Sequence, residues 1–428
     1  MFLLARCWLD RRSATFAAVL YAANPYHLVI VYWRSAFAEL LAACLIPLLL
    51  LFVLEAAQGR RRIVALGLVL AAAWLTNAPA AVMIHYSLGL LIVFFAWRKH
   101  SPRLLVVGAA AVVMGACLAA FYLLPAIYEQ KWVTISQAVA QGSRPQDNFL
   151  FIHTTDADHD AFNHVISWVA VLEMGLIALS FVAFKLWRRK DDFSNAALLW
   201  AVACSMLMFP VTLFLWDILP EMRFMQFPWR WLLCLSMIFA IVLAIGLRRW
   251  PARAAACVLS LLLLVGAWHK IQEPWWDNAA DLREMQDNMS DRIGYEGTDE
   301  YTPIGARPSA IDKDARNVTV DGPAHAAIRV QHWDAESKMF TAELSAPDEL
   351  ALRLFPYPAW KTEVNGRVVQ TGARSRTGQM LIPVEAGMNR VQITFVRTWD
   401  RRAGGWISAI TVLGLIGWAI RRKRARAA

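Results

Sequence analysis

Residues 36–62 read AFAELLAACLIPLLLLFVLEAAQGRRR, an apolar block that closes on Arg60-Arg61-Arg62. About 20 apolar residues in a helix, rising 1.5 Å each, match a hydrocarbon core roughly 30 Å thick. Backbone polar groups cannot face lipid unsatisfied, so a block of this kind must be a helix. The same unit recurs along the chain. Arg98-Lys99, Arg188-Arg189-Lys190, Arg248-Arg249 and Arg421-Arg422-Lys423-Arg424 each open or close an apolar block. Membrane helices are expected at roughly 13–33, 36–57, 62–79, 80–97, 103–125, 166–187, 193–216, 229–247, 252–268 and 404–420, with residues 1–9 reading as the tail of another. Within 62–97 the break falls at Thr76-Asn77-Ala78-Pro79, because proline lacks a donor and disfavours helical geometry before it.

Composition agrees. The chain has 428 residues, 58% of them hydrophobic and 18% charged, whereas a soluble chain carries about 25% charged residues. A net charge of +10 invites a nucleic-acid partner, but the charges gather at helix ends. That pattern is topology signalling, so the expected partner is the lipid bilayer and not nucleic acid. All six cysteines (Cys7, Cys44, Cys117, Cys204, Cys234, Cys257) lie in apolar blocks, without CxxC or Cys/His metal spacing. They read as small packing residues, and the polar C-terminal region has no disulfide framework. No cofactor and no metal site is expected.

Orientation follows from Lys and Arg in short loops. With the tail 421–426 inside, alternate crossings put 9–12, 58–62, 98–103, 188–192 and 248–253 inside, and every one of these is basic. The opposite set is 26–35, 76–79, 126–165, 217–228 and 269–403. The expectation is a multi-pass protein of a bacterial inner membrane, its C-terminus cytoplasmic and residues 269–403 extracytoplasmic. Met1-Phe2-Leu3-Leu4-Ala5 lacks a basic n-region and an A-x-A site, so it is no signal peptide. It is also too short to span before Asp10-Arg11-Arg12. The chain reads as starting inside a helix, as a truncated or misassigned start would.

Composition shifts at 269–403. Residues 279–293 read as a short amphipathic helix. From about 316 the pattern turns strand-like, at Ala327–Trp333, Lys338–Ser345, Glu349–Phe355, Trp360–Val364, Met380–Val384 and Arg390–Val396. Asn365-Gly366 is a hairpin turn signal, and Glu385-Ala386-Gly387 a second turn. The expected fold is an α-helical polytopic membrane protein of about 10–11 transmembrane helices with a small extracytoplasmic antiparallel β-sandwich before the last helix. Its parts are a bundle at 1–268, a linker with the amphipathic helix at 269–315, the sandwich at 316–403, the last membrane helix at 404–420 and a basic cytoplasmic tail at 421–428.

Ionisable residues at membrane depth are functional candidates. Arg34 and Glu39 flank the start of a helix on the outer side; five residues apart on a helix, they would sit on differing faces. The plainer reading has Arg34 snorkelling to the interface and Glu39 paired with it or with another helix. Phe227-Pro228-Trp229-Arg230 opens a helix at the same face, with proline as a start signal, Trp229 as an interfacial anchor and Arg230 able to snorkel or to bind a phosphate. Tyr122-Leu123-Leu124-Pro125 and Glu129 end a helix there, and the plainer reading of Glu129 is a rim charge. Arg34, Glu39, Tyr122, Glu129, Trp229 and Arg230 are therefore expected to line one outer-facing pocket. The loop holding His153, Asp156, Asp158, His159, Asp160 and His164 carries metal-ligand residue types. It lacks the turn glycine and terminal Glu of an EF-hand and reads as a solvated acidic loop. No Walker loop, GxGxxG, GxSxG or HExxH is present.

At these residues the chain resembles a family of bacterial multi-pass membrane proteins, the 6-pyruvoyl-tetrahydropterin synthase-related family. It is also similar to YfhO-like membrane proteins, and both resemble GT-C-type glycosyltransferases, which use lipid-phosphate-linked sugars at the outer face. The matching stretches are Tyr32-Trp33-Arg34-Ser35-Ala36-Phe37-Ala38-Glu39, Phe121-Tyr122-Leu123-Leu124-Pro125, Gln226-Phe227-Pro228-Trp229-Arg230 and Gly297-Thr298-Asp299-Glu300-Tyr301-Thr302-Pro303. Tyr357-Pro358-Ala359-Trp360-Lys361, Val364-Asn365-Gly366 and Ala386-Gly387 extend the likeness into the sandwich. The family label implies no pterin synthase activity, since a soluble pterin synthase uses a zinc site of three histidines that has no counterpart here. The resemblance implies a GT-C-like fold and an acidic catalytic residue in a first outer loop, which would lie upstream of Met1, so no catalytic carboxylate is assigned. Two functions follow. One is sugar transfer from a polyprenyl-phosphate donor, with Arg34 and Arg230 on the phosphate and Glu39 and Glu129 in support. The other is a non-catalytic envelope protein whose outer β domain binds glycan, lipid or a protein partner.

Overall fold

The computed structural model describes residues 1–187, 192–247, 249–271, 279–290, 299–311 and 315–427. The basic turn Arg188-Arg189-Lys190, Arg248, residues 291–293 of the expected amphipathic helix, Gly297-Thr298 and Ala428 lie outside the described residues. The chain divides into two compact units. Met1–Leu123, Ala138–Trp275 and Trp406–Ala428 form the first, and Leu124–Gln137 with Trp276–Gly405 form the second.

Six helices among the described residues are long and apolar enough to cross a membrane: Arg11–Tyr32, Phe37–Ala57, Ala78–Arg98, Ala157–Val182, Pro228–Gly246 and Trp399–Ala425. There are eight if each of two bent pairs is one span. Arg103–Leu118 with Ala120–Trp132 bends by 81°, and Asp192–Leu207 with Pro210–Ile218 by 93°. Two shorter apolar helices are Ile63–Thr76 and Trp250–Gly266. The ten blocks marked in the sequence all fall on these helices, but six to eight candidate spans among the described residues replace the 10–11 expected. Apolar content is what a hydropathy reading sees, whereas a bend depends on local backbone. Pro210 opens the second half of one bent pair, and Pro125 lies inside the second half of the other. Asn77 breaks 62–97 as expected, its Oδ1 accepting from Ala80 N at 2.9 Å to cap the helix Ala78–Arg98.

Packing in the first unit uses small residues where helices approach closely. A Cβ on Gly115 would lie 2.8 Å from Leu70 Cβ and 3.1 Å from the Gly67 carbonyl, so this glycine sets the spacing of Ile63–Thr76 against Arg103–Leu118. The helix Leu232–Gly246 is the centre of the unit, and every residue from Leu232 to Ala244 is buried. The last helix is its opposite: 11% of its most apolar stretch is buried, and Trp406 and Leu413 are 70% and 67% exposed. Apolar surface of that extent belongs against hydrocarbon. This helix runs Trp399–Ala427, starting ahead of the apolar block at 404–420 and continuing through the basic tail.

The second unit carries two antiparallel sheets. Strands β1 (Val318–Val320), β4 (Asp348–Leu352), β8 (Met380–Val384) and β7 (Gly372–Ala373) pair in the order β1-β4-β8-β7. Strands β2 (Ala326–Trp333), β3 (Ser337–Leu344), β9 (Gly387–Phe395), β5 (Trp360–Val364) and β6 (Arg367–Val368) pair in the order β2-β3-β9-β5-β6. One apolar cluster draws on both sheets, with Phe340, Leu344, Val391 and Ile393 from one and Leu350, Leu352, Ile382 and Val384 from the other. That is sandwich packing. Period-2 burial is plain on β3, where Lys338, Phe340, Ala342 and Leu344 face inward. Lys338 is tolerated there because its Nζ donates to the carbonyls of Asp334 (2.7 Å) and Ala335 (2.9 Å) and lies 4.2 Å from the Trp360 ring centroid. The six strands read from the sequence are present, Trp360–Val364 and Met380–Val384 with the expected ends and the other four with shifted ones. Strands β1, β6 and β7 were not legible, being two or three residues long with no periodicity to detect.

The β5–β6 turn has φ of +52° at Asn365 and +78° at Gly366, the two positive values of a type I′ hairpin. Replacing Gly366 by alanine forces a Cβ into the left-handed region, at a cost of about 1–2 kcal/mol. Hydrogen exchange on the full chain should show the β5 amides of Gly366→Ala losing protection by that amount.

Candidate functional site

Arg34 and Glu39 meet because the chain stops being helical between them. Helix Pro25–Tyr32 ends at Trp33, Ser35 takes φ +49°, and helix Phe37–Ala43 starts after Ala36. The expectation of differing faces assumed one continuous helix; the reversal at 33–36 instead folds Arg34 back, and its Nη1 donates to Glu39 Oε2 at 2.8 Å. Glu39 lies in the first turn of its helix, where the macrodipole favours a carboxylate. It is 1% exposed and takes two further partners. Tyr26 OH donates to Oε1 at 2.5 Å, and Arg230 Nε lies 3.3 Å from Oε2.

Arg230 comes from the turn Pro228–Trp231, which opens the helix Leu232–Gly246. Its Nη1 donates to the Met225 carbonyl at 2.6 Å and to Gln226 Oε1 at 3.4 Å. Gln226 itself sits at φ +65°, an unusual conformation for a non-glycine residue, and its amide donates to the Ala138 carbonyl at 2.7 Å. The Phe227 and Trp229 rings stack with centroids 4.8 Å apart and planes within 4°. Arg34 lies over Trp229 at 4.6 Å and Arg230 over Phe227 at 4.6 Å. The result is a buried carboxylate clamped by two guanidiniums that rest on two stacked aromatic faces.

Of the expected pocket residues, Arg34, Glu39, Trp229 and Arg230 come together, joined by Phe227 of the same motif and by Tyr26, which the sequence did not single out. Tyr122 lies in the first unit on the helix Ala120–Glu129, with 41% of its surface exposed. Glu129 belongs to the second unit and has partners there. Arg401 grips it through Nε and Nη2, both at 2.7 Å, Tyr357 OH donates at 2.7 Å and Thr398 at 3.3 Å. Burial first, and the Glu129 carboxylate second, push the Tyr357 phenol above its ordinary range. Asp400 in the same unit is fully buried beside Glu129.

The acidic loop uses its side chains on its own backbone and neighbours. Asp156 Oδ1 accepts from Asp158 N and His159 N, both at 3.0 Å, and Asp160 Oδ1 accepts from Thr154 N at 2.9 Å. His159 Nε2 lies 2.8 Å from Asn148 Oδ1, His153 Nδ1 3.3 Å from Asp160 Oδ1, and Trp168 donates to His164 Nε2 at 3.0 Å. Among the described residues, no group of three or more His, Cys, Asp or Glu is placed to hold a metal ion.

The sequence reading passed over Glu173, which is fully buried in the helix Ala157–Trp187. Its signal was available: a lone acid within the apolar run Val171-Leu172-Glu173-Met174. Asp400 had no comparable signal, because it stands beside Arg401-Arg402 and reads as an ordinary polar helix start.

Removing the Glu39 charge would leave two buried guanidiniums facing each other, and breaking a buried pair on one side costs about 3–5 kcal/mol. Glu39→Gln should therefore lower the thermal midpoint in detergent far more than Tyr26→Phe, which removes one hydrogen bond worth about 1–3 kcal/mol.

Residues 1–273 match the family model described as a 6-pyruvoyl-tetrahydropterin synthase related domain, a membrane protein. No curated protein and no solved structure matches the chain.

Proposed function

The chain belongs to the 6-pyruvoyl-tetrahydropterin synthase related family of membrane proteins, and we propose that its clamp of Arg34, Glu39 and Arg230 recognises the phosphate of a polyprenyl-phosphate-linked sugar. One observation carries this proposal: two guanidiniums share a single carboxylate, which leaves one positive charge in excess. A guanidinium fork suits a phosphate, and a charge-assisted hydrogen bond to it is stronger than a neutral one. The stacked Phe227 and Trp229 rings supply the amphipathic surface that suits the boundary between headgroup and acyl chain. Glu39 then orients the arginines and keeps their charges tolerable without ligand. The donor would be used as in GT-C-type glycosyltransferases, and the acid that activates an acceptor is not assigned.

The proposal places the clamp on the outer side of a bacterial inner membrane, with the β-sandwich on that same side and the basic tail 421–426 in the cytoplasm. The basic-loop alternation supports it. A reporter that is active only outside should be silent when fused after Ala428 and active when inserted near Gly372. The reverse pattern would refute the orientation.

Binding of a polyprenyl phosphate to the full chain in lipid nanodiscs tests the clamp directly, with the matching polyprenol as the control lacking phosphate. Arg34→Lys keeps the charge but loses the fork, and should weaken phosphate binding about tenfold, the equivalent of ~1.4 kcal/mol, while membrane insertion is unchanged. Equal binding of phosphate and alcohol would rule the clamp out as a phosphate site.

A further inference from the structure

A second polar cluster is buried in the first unit, and its hydrogen atoms do not add up. Ser236 Oγ lies 3.0 Å from Asn24 Oδ1, 3.4 Å from each carboxylate oxygen of Glu173 and 2.7 Å from the Leu232 carbonyl. A serine hydroxyl has one hydrogen to give, and all four of these neighbours are acceptors when Glu173 is ionised. The orientation of the Asn24 amide is settled by a separate contact, since its Oδ1 also accepts from Tyr26 N at 2.8 Å. Asn24 Nδ2 then faces the Glu173 carboxylate, but without a hydrogen bond of ordinary length and angle. A proton on Glu173 relieves this crowding of acceptors: the acid donates to Ser236 Oγ, Ser236 donates to the Leu232 carbonyl, and Asn24 Oδ1 keeps its donor from Tyr26 N.

Charge leads to the same place. Asn24, Glu173 and Ser236 are each fully buried. Among the described residues no Lys, Arg or His lies at ion-pair distance from Glu173, unlike Glu39 and Glu129. The titratable groups around it are a phenol, a thiol and an imidazole. Tyr21 approaches from the helix Arg11–Ala22 with its hydroxyl donated to the Ala43 carbonyl at 2.8 Å, and Cys234 stands beside Tyr21. His27 meets the Tyr21 ring edge-on at 4.8 Å, and its Nε2 is buried without a partner. A carboxylate stripped of water and given no cation is strongly disfavoured, so the group keeps a proton or takes up a cation.

The site also sits at a discontinuity. Helix Arg11–Ala22 stops, Asn24 caps the next helix Pro25–Tyr32, and the interruption falls within one apolar span. Interrupted membrane helices put unpaired backbone and side-chain groups at membrane depth where small ions are handled. His27 Nε2, buried without a partner at this interruption, is a ring nitrogen that can accept a proton.

We propose that Glu173, Asn24 and Ser236 form a proton-binding site inside the helical unit, with the Glu173 carboxyl carrying an exchangeable proton at neutral pH. The site stands apart from the phosphate clamp and does not depend on it. Infrared difference spectroscopy on the full chain in lipid nanodiscs tests it. At neutral pH the carbonyl-stretch band of a protonated carboxylic acid should be present, should shift in heavy water and should disappear reversibly at alkaline pH. Glu173→Gln should abolish that band. Should Glu173→Gln fail to fold, Ser236→Ala serves instead: it removes the acceptor of the acid proton and should move the band to higher frequency without deleting it. A band missing from the unmodified chain, persisting in Glu173→Gln, unmoved in Ser236→Ala, or unresponsive to heavy water and pH would each overturn the proposal. Loss of the band on adding sodium ions at constant pH would overturn it in favour of a metal-cation site.

Discussion

Hydrocarbon offers no hydrogen bonds, and the first unit is organised by that fact. Each apolar block satisfies its backbone within itself by becoming a helix. The blocks then sort by what surrounds them. The helix Leu232–Gly246 is buried along nearly its whole length, whereas Trp399–Ala427 leaves most of its apolar side chains uncovered. Where two backbones come closest, Gly115 and Gly67 remove the side chains that would hold them apart.

The same scarcity of partners explains where polar groups survive. The Glu39 and Glu173 clusters each stand beside an interruption of regular helix. Glu39 is reached by Arg34 from the reversal at 33–36 and by Arg230 from the turn at 228–231. Asn24 caps a restarted helix beside Ser236 and Glu173. An interrupted helix frees both a side chain to fold back and backbone groups to bind. A buried ion pair contributes little net stability, but losing one member is costly, so such clusters fix geometry more than they strengthen the fold. In the proposed reading that fixed geometry is what a phosphate headgroup meets.

The second unit solves the problem by other means. Its strands alternate inward and outward, and one apolar cluster joins the two sheets. Its Arg401–Glu129–Tyr357 contacts draw residues distant in sequence into one bonded group. Segment 124–137 belongs to this unit although the sequence attaches it to the preceding apolar block.

How much of this could be read from the chain alone depends on the range of the interaction. Apolar runs, basic loop ends, the period-2 strands and the Asn365-Gly366 turn are local patterns. Residues 36–62 or 338–344 reveal their element type because a single helix or strand imposes it, whatever its neighbours. The membrane class, the ten apolar helices, the six longer strands and the family resemblance were legible for that reason. The meeting of Arg34 with Glu39 and Arg230 was only half legible: residue type and position near helix ends marked the candidates, but a continuous helix would have separated the first two. Their convergence depends on the Ser35 backbone and on two helices packing side by side, which no local period encodes. Glu173 carried a signal in its apolar run, but its place beside Ser236 and Asn24, far apart from it in sequence, is visible only in the folded chain. Pairing across long separations is decided by packing, and packing is where the tertiary structure alone could speak.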